Sequence, residues 1–247
     1  MFEFLTERSS IREYSDKPVE KALINKLLQV ASQASNTGNM QTYSVVVTTD
    51  TQLKEQLSPT HFNQKMVKNA PAILTFNADF NRFSKWCKLS DAEPGYDNFQ
   101  SFMAAAIDAI IFAQTFAIAA ERVGLGICYL GTTTYNAGEI IDILQLPSLV
   151  VPVTAVAVGY PATAIEKTDR LSLDAIVHNE TYKDYTSDAI KELYAEKENS
   201  EFYKNFVAEN NKKTLAQVFT DIRYTKKNND FFSEKFLNVL KRQGFWD

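Results

Sequence analysis

Phe102-Met103-Ala104-Ala105-Ala106-Ile107-Asp108-Ala109-Ile110-Ile111-Phe112-Ala113-Gln114-Thr115-Phe116-Ala117-Ile118-Ala119-Ala120-Glu121-Arg122-Val123 is the longest apolar stretch of the chain. It reads as one long helix from about Gln100, ended by Gly124-Leu125-Gly126. Asp108, Gln114, Glu121 and Arg122 interrupt it. A charge near a bilayer centre is expensive, so the stretch is expected to be a buried helix of a soluble protein rather than a membrane span. A helix apolar on most faces belongs in the middle of a fold.

Short β-branched runs surround this helix. Tyr43 to Thr48, Ala72 to Ala78, Ile127 to Leu130 and Val150 to Val158 read as strands. Helical spacing of Ala22, Leu23, Leu27, Leu28 and Ala31 marks an earlier helix opened by Pro18-Val19-Glu20, with Asp16 as its expected cap. Gln52 to Leu57 and Asn136 to Leu144 are further helices, stopped by Ser58-Pro59 and Leu146-Pro147. The polar region from Asn81 to Asn98 reads as an excursion or lid. From Ser187 onward the chain is rich in Lys, Glu and Asn with regularly placed Tyr, Phe and Leu, the pattern of helices too polar to make a core alone. The whole is an α+β layered domain around a central helix, which a dimer could share.

The chain has 247 residues, 45% hydrophobic and 23% charged, with a net charge of −4. Such a chain buries enough surface to need no disulfide or metal staple. The acidic balance argues against nucleic acid as a partner. Cys87 and Cys128 form no CxxC or Cys/His ligand set and suit a reducing cytosol. The first residues, Met1 to Glu7, carry acids and lack the apolar run of a signal peptide.

Three clusters could carry chemistry. Arg8-Ser9-Ser10-Ile11-Arg12 packs two guanidiniums and two hydroxyls into five residues, a donor set that suits phosphate. Taken alone it equally describes a solvated basic turn between Glu7 and Glu13. Lys167-Thr168-Asp169-Arg170 is an ordinary charged loop unless folding sets it beside the first cluster. Gly124-Leu125-Gly126-Ile127-Cys128-Tyr129-Leu130-Gly131 could admit a flat ligand, or could be a helix cap followed by a buried strand. It is not GxGxxG and follows a helix, which argues against a Rossmann site. There is no GxSxG, P-loop or HExxH, and His61 and His178 stand alone as structural residues. An enzyme of this composition needs a cofactor to carry its chemistry.

In order and spacing, Arg8-Ser9-Ser10-Ile11-Arg12-Glu13-Tyr14, Pro18, Ala34-Ser35-Asn36 with Gln41, Ala119-Ala120-Glu121-Arg122-Val123-Gly124-Leu125-Gly126-Ile127, and Val158-Gly159-Tyr160-Pro161 followed by Lys167, Arg170 and Ile176-Val177-His178 resemble the nitroreductase family of FMN-dependent oxidoreductases. Ala78 to Arg82 and Lys241 to Phe245 are most similar to its oxygen-insensitive nitroreductase and flavin reductase subgroup. The resemblance implies a central mixed, mainly antiparallel sheet flanked by helices. It implies a homodimer with swapped helical extensions, a core over residues 1–182 with an excursion at about 80–98, and a helical extension over 183–247.

It further implies noncovalent FMN at the dimer interface, with NAD(P)H as co-substrate. Arg8, Ser9, Ser10 and Arg12 would hold phosphate, ribityl and ring edge, and Lys167 and Arg170 would complete the phosphate site. Asn36 and Gln64 match ring-contacting positions, and Tyr129, Leu130, Gly131 and Thr132 match the segment along the ring. Arg12 is the candidate electrostatic stabiliser of reduced flavin; no side chain is expected to be catalytic, and no metal is expected. The subgroup usually carries His where Arg8 stands and Arg where Ser9 stands, so one cation is kept. Its NADPH-associated Arg falls near Val207, which leaves Lys212, Lys213 or Arg223 as candidates. The implied activity is hydride transfer from NAD(P)H through flavin N5 to nitroaromatic or quinone acceptors by a ping-pong cycle, in the cytoplasm. The alternatives are a flavin reductase and a non-enzymatic flavin-binding or structural dimer.

Overall fold

A computed structural model describes residues 3–163 and 167–246. Met1 and Phe2 of the expected leader-free N-terminus lie outside the described residues. In chain order the helices are α1 (Glu3–Thr6), α2 (Lys21–Ala31), α3 (Thr51–Leu57), α4 (Lys65–Asn69), α5 (Asn81–Leu89), α6 (Phe99–Arg122), α7 (Ala137–Leu144), α8 (Ser187–Asn199), α9 (Glu201–Glu209), α10 (Leu215–Val218) and α11 (Lys226–Gln243). The strands are β1 (Tyr43–Thr48), β2 (Ala72–Asp79), β3 (Gly126–Tyr129) and β4 (Val150–Gly159). By backbone contacts the chain divides into two compact units, residues 1–166 with 232–247, and residues 167–231.

In the first unit the strands form one sheet in the order β1-β2-β4-β3, with every pairing antiparallel. β2 is buried at all eight positions. That explains its unbroken apolar run, because a strand covered on both faces has no reason to alternate. Leu74 and Phe76 point with Val156 and Val158 toward α2 and α6, where Phe112, Ala113, Phe116 and Ala117 meet them. Ile73 points the other way with Ala155 and Ala157, against Leu57 of α3, Met66 and Val67 of α4 and Ile140 of α7. The result is three layers, helix, sheet and helix. Truncating the fully buried Phe116 to Ala in such a layer costs about 3–5 kcal/mol.

α6 is a core helix: ten of its residues are buried, including Phe102, Ala109 and Phe116. Its start is capped by the Asn98 side chain, which accepts from Ser101 N. Its end is a Schellman cap. Gly124 stands at φ 84°, its N–H donates to Glu121 O, and Leu125 N–H donates to Ala120 O. One face stays uncovered, with Phe99, Met103, Ile107, Ile110 and Ile111 exposed.

One expectation needs correction. Asp16 caps nothing: the helix starts at Lys21 with Glu20 at the cap position and no side-chain cap. The reason is that the chain is still tied to the end of β4 at Ser15, whose N–H donates to Tyr160 O, so it cannot coil until five residues later. α3 ends at Leu57 as expected, and a 3₁₀ turn follows from Ser58 to His61, with Pro59 in its first positions, where a missing N–H costs nothing. Within the expected excursion, residues 81–89 are α5, with Ser84 and Cys87 buried and Phe83 packed on Phe80 and Tyr96.

The second unit is helical. α8 is capped by Thr186, α9 by Ser200 and α10 by Thr214. Among their residues only Leu215 and Val218 are buried, consistent with the polar composition of this stretch.

Candidate functional site

The Arg8–Tyr14 segment is laid along the free edge of β3. Ile11 N–H donates to Ile127 O at 2.9 Å, and Ala162 N–H donates to Glu13 O at 3.0 Å. Tyr14 bridges back to Pro161, and its hydroxyl donates within reach of both Ile11 O (2.8 Å) and Ala157 O (3.0 Å). Burial pushes that phenol far above its ordinary pKa, so it stays a donor at all working pH. Two glycines make the approach possible. A Cβ on Gly126 would stand 2.5 Å from Ile11 Cγ1, and one on Gly159 would stand 2.7 Å from Tyr14 Cδ1. The close approach permitted at Gly126 is therefore to the chain's own Ile11. Gly131 differs, because nothing lies within 4 Å of where its Cβ would be.

Arg8 Nε donates to both carboxylate oxygens of Glu121, at 3.1 and 3.3 Å, tying the segment to the last turn of α6. Burial raises the Glu121 pKa above the usual carboxylate range, and the Arg8 guanidinium opposes the rise. Ser9 and Ser10 are half-buried, and Arg12 is exposed. Arg12 makes no ion pair among the described residues, but its charge is felt at Cys128 and Tyr14. Burial raises the Cys128 thiol pKa, with Arg12 and Arg8 opposing, so this cysteine is no thiolate nucleophile.

Past the end of β3, Leu130 N–H continues the ladder to Ala155 O. Tyr129 donates its hydroxyl to Gln114 Oε1 of α6 at 3.2 Å. Thr132 Oγ1 lies 2.9 Å from His61 Nδ1. His61 is 1% exposed and burial lowers its pKa to about 4, so it is a neutral structural partner at pH 7. Asn136 Nδ2 donates to Thr60 O, which binds the His61 turn a second time. Gln64 follows directly, half-buried at the start of α4 after two left-handed residues, Phe62 and Asn63.

Asn36 sits in the loop before β1. Its Oδ1 accepts from Gln41 N. The loop is held by Asp108 of α6, 2% exposed, whose carboxylate accepts from Thr37 N (3.0 Å), Thr37 Oγ1 (3.0 Å) and Thr42 Oγ1 (3.3 Å). Tyr14, Asp108, Gln114 and Glu121 thus organise the expected site residues. The sequence carried a signal for three of them, as polar breaks in an apolar helix, but none for which residue each would meet.

Lys167 and Arg170 belong to the second unit. Lys167 is exposed. Arg170 is turned onto its own loop, with Nη1 donating to Thr168 Oγ1 (2.7 Å) and Asp169 O (2.8 Å). Asp169 pairs with Lys197 at 2.7 Å and accepts from the Tyr203 hydroxyl. Of the nicotinamide candidates, Lys212 pairs with Asp221 at 3.0 Å and Arg223 lies over the Phe206 ring. Lys213 is exposed.

A three-layer antiparallel fold with a basic N-terminal segment clamped across the end of β3 defines a class, and comparison with known proteins gives it a family. The family model described as the nitroreductase family matches residues 5–160. The chain belongs to the nitroreductase family. A curated protein described as "CR(VI) reductase", from Pseudomonas sp. (strain G-1), is 30% identical over 98% of this chain and 98% of its own. One described as "FMN reductase (NADPH)", from Bacillus subtilis (strain 168), is 30% identical over 96% of this chain and 97% of its own. A crystal structure from Bacteroides fragilis NCTC 9343 has a TM-score of 0.98 and 55% identity, covering 99% of this chain and 100% of that one.

Proposed function

We propose that this chain is an FMN-dependent oxidoreductase that takes reducing equivalents from NAD(P)H and passes them to nitroaromatic or quinone acceptors in turn. The observation that carries the reading is the placement of Arg8, Ser9, Ser10 and Arg12 along the edge of β3, bonded at Ile127 just ahead of Tyr129–Thr132, with the Arg8 charge felt at Tyr129. That donor set fits a phosphorylated flat cofactor. Arg12 offers a guanidinium with no carboxylate partner among the described residues, and Gly131 leaves open space where a side chain would stand. The names of the relatives point to the same cofactor and donor.

When bound, FMN supplies the two-electron chemistry by accepting hydride and releasing it to the oxidised acceptor. The side chains bind and orient. Arg8, fixed by Glu121, and the Ser9 and Ser10 hydroxyls hold phosphate and ribityl oxygens. Arg12 stabilises negative charge at the ring edge, where a fixed cation needs no reorganisation. Asn36 and Gln64, each on a loop pinned by buried polar groups, contact the ring, and the backbone of Tyr129, Leu130, Gly131 and Thr132 runs along it. Lys167 and Arg170 are assigned to the phosphate on the sequence resemblance. Solvent supplies protons.

The same proposal includes a cytoplasmic homodimer. Met103, Ile107 and Ile110 form an exposed apolar stripe on the face of α6 that continues to Gln114 and Glu121, the partners of Tyr129 and Arg8. An apolar stripe of this kind calls for a partner, and a second copy over it would border the cofactor segment. Exchange of the 183–247 extension between subunits rests on the resemblance.

The test is FMN titration followed by stopped-flow bleaching with NADH and NADPH and reoxidation by an acceptor panel. Purified protein that stays colourless after FMN is added favours a structural dimer and ends the reading. Free flavin outperforming every nitroaromatic and quinone favours the flavin reductase, the activity that the name of the Bacillus subtilis relative states. Arg12→Ala and Arg170→Ala are each expected to weaken FMN binding about tenfold with an unchanged circular dichroism spectrum.

A further inference from the structure

A second cavity of about 580 Å³ lies in the first unit between α2, the end of β1 and the α4–β2 junction. Lys54 of α3 is in its wall and is only 7% exposed. Its ammonium donates to Ala70 O at 2.7 Å, and no carboxylate among the described residues pairs with it. The nearby Asp50 is engaged as the cap of α3, accepting from Leu53 N. An ammonium carries three donors, and here a single neutral carbonyl takes one. A buried cation left so is costly: burial lowers the Lys54 pKa, and the charge of Asp50, close by but not in hydrogen-bond contact with it, opposes the fall only in part. Elsewhere in this chain half-buried cations are matched by carboxylates, as Arg8 is by Glu121 and Lys235 by Glu139.

The cavity says what could complete Lys54. Val19, Ile24 and Val47 give it apolar walls, and its volume is that of a small organic ligand rather than a bare ion. Asp16 and Lys21 are the charged residues at its exposed rim. These two opposite charges offset each other, which leaves the single Lys54 ammonium for the ligand to match. We propose that this cavity binds a small aliphatic monocarboxylate, its carboxylate on the Lys54 ammonium and its chain against Val19, Ile24 and Val47. The assignment is independent of the flavin reading.

The test uses the full chain with FMN added, titrated with hexanoate at constant ionic strength. The ε-carbon resonance of Lys54 in ¹³C-lysine-labelled protein, identified by its absence in Lys54→Met, is followed. A saturable shift is expected. Binding measured by saturation-transfer NMR is expected to fall about tenfold or more in Lys54→Met, as for the loss of a charged hydrogen bond. Arg12→Ala should bind hexanoate like the parent. Should Lys54→Met fail to fold, Val47→Phe fills the cavity while keeping Lys54, and it too is expected to abolish the shift. The proposal is overturned if hexanoate leaves the resonance unmoved, if the folded Lys54→Met or Val47→Phe variant binds it undiminished, if neutral hexanamide binds as well, or if Arg12→Ala abolishes binding.

Discussion

Asp108 and Glu121 stand thirteen residues apart on one helix, and each holds a different part of the candidate flavin site. Asp108 is buried and accepts only from neutral donors, two Thr37 groups and one Thr42 hydroxyl. Glu121 is half-buried and takes a guanidinium. The buried carboxylate satisfies three donors that would otherwise be orphaned, so it supports the fold. The half-buried carboxylate of Glu121 orients a cation of the candidate site, so it supports binding. His61 belongs with Asp108: dry, neutral and fixed to Thr132.

That contrast can be broken most directly at Asp108. Asp108→Ala should cost about 4 kcal/mol, because Thr37 and Thr42 lose their acceptor inside the core. Urea denaturation reads it; a loss below about 1 kcal/mol would falsify the role given to this carboxylate.

His61 is next in size. Its folded pKa, about 4, lies below its ordinary value of 6.5. The unfolded chain therefore binds a proton first as pH falls. Stability should decline as pH drops from the ordinary value through about 4, by up to about 3 kcal/mol. Comparing urea midpoints of parent and His61→Gln between neutral and acid pH isolates the slope, and parallel profiles would remove the histidine from the account.

At Glu121 the expected effect moves from stability to affinity. Glu121→Gln should change stability by about 1 kcal/mol or less, while weakening FMN about tenfold through the loss of Arg8's orientation. Equal losses in both measurements would erase the distinction between the two carboxylates. The smallest effect is the pH response of Glu121 itself. Its folded pKa is raised by burial, so the native state binds the proton more tightly than the unfolded chain. Stability should then fall slightly as pH rises from the ordinary glutamate value through the raised one, and the Glu121→Gln profile should be flatter there.

Much of the fold was legible because its signals are local. The apolar run of β2, the ten-residue β4 and the long α6 with its glycine end are written in composition over a few turns. The Arg8–Tyr14 and Val158–Pro161 segments could be recognised by order, and the structure joins them through Tyr14 and Pro161. What local reading misplaced was the start of α2, since the tie of Ser15 to Tyr160 joins residues 145 positions apart and leaves no mark near Asp16.

The sequence by itself determined which residues are apolar, where the helix must stop and which short segment carries two arginines and two serines, because hydrophobic period and turn chemistry act between near neighbours. The tertiary structure alone decided that Asp108 answers Thr37, 71 positions away, and that Glu121 answers Arg8, 113 positions away. A buried carboxylate must find donors wherever the folded chain brings them, and that choice depends on packing geometry rather than on spacing.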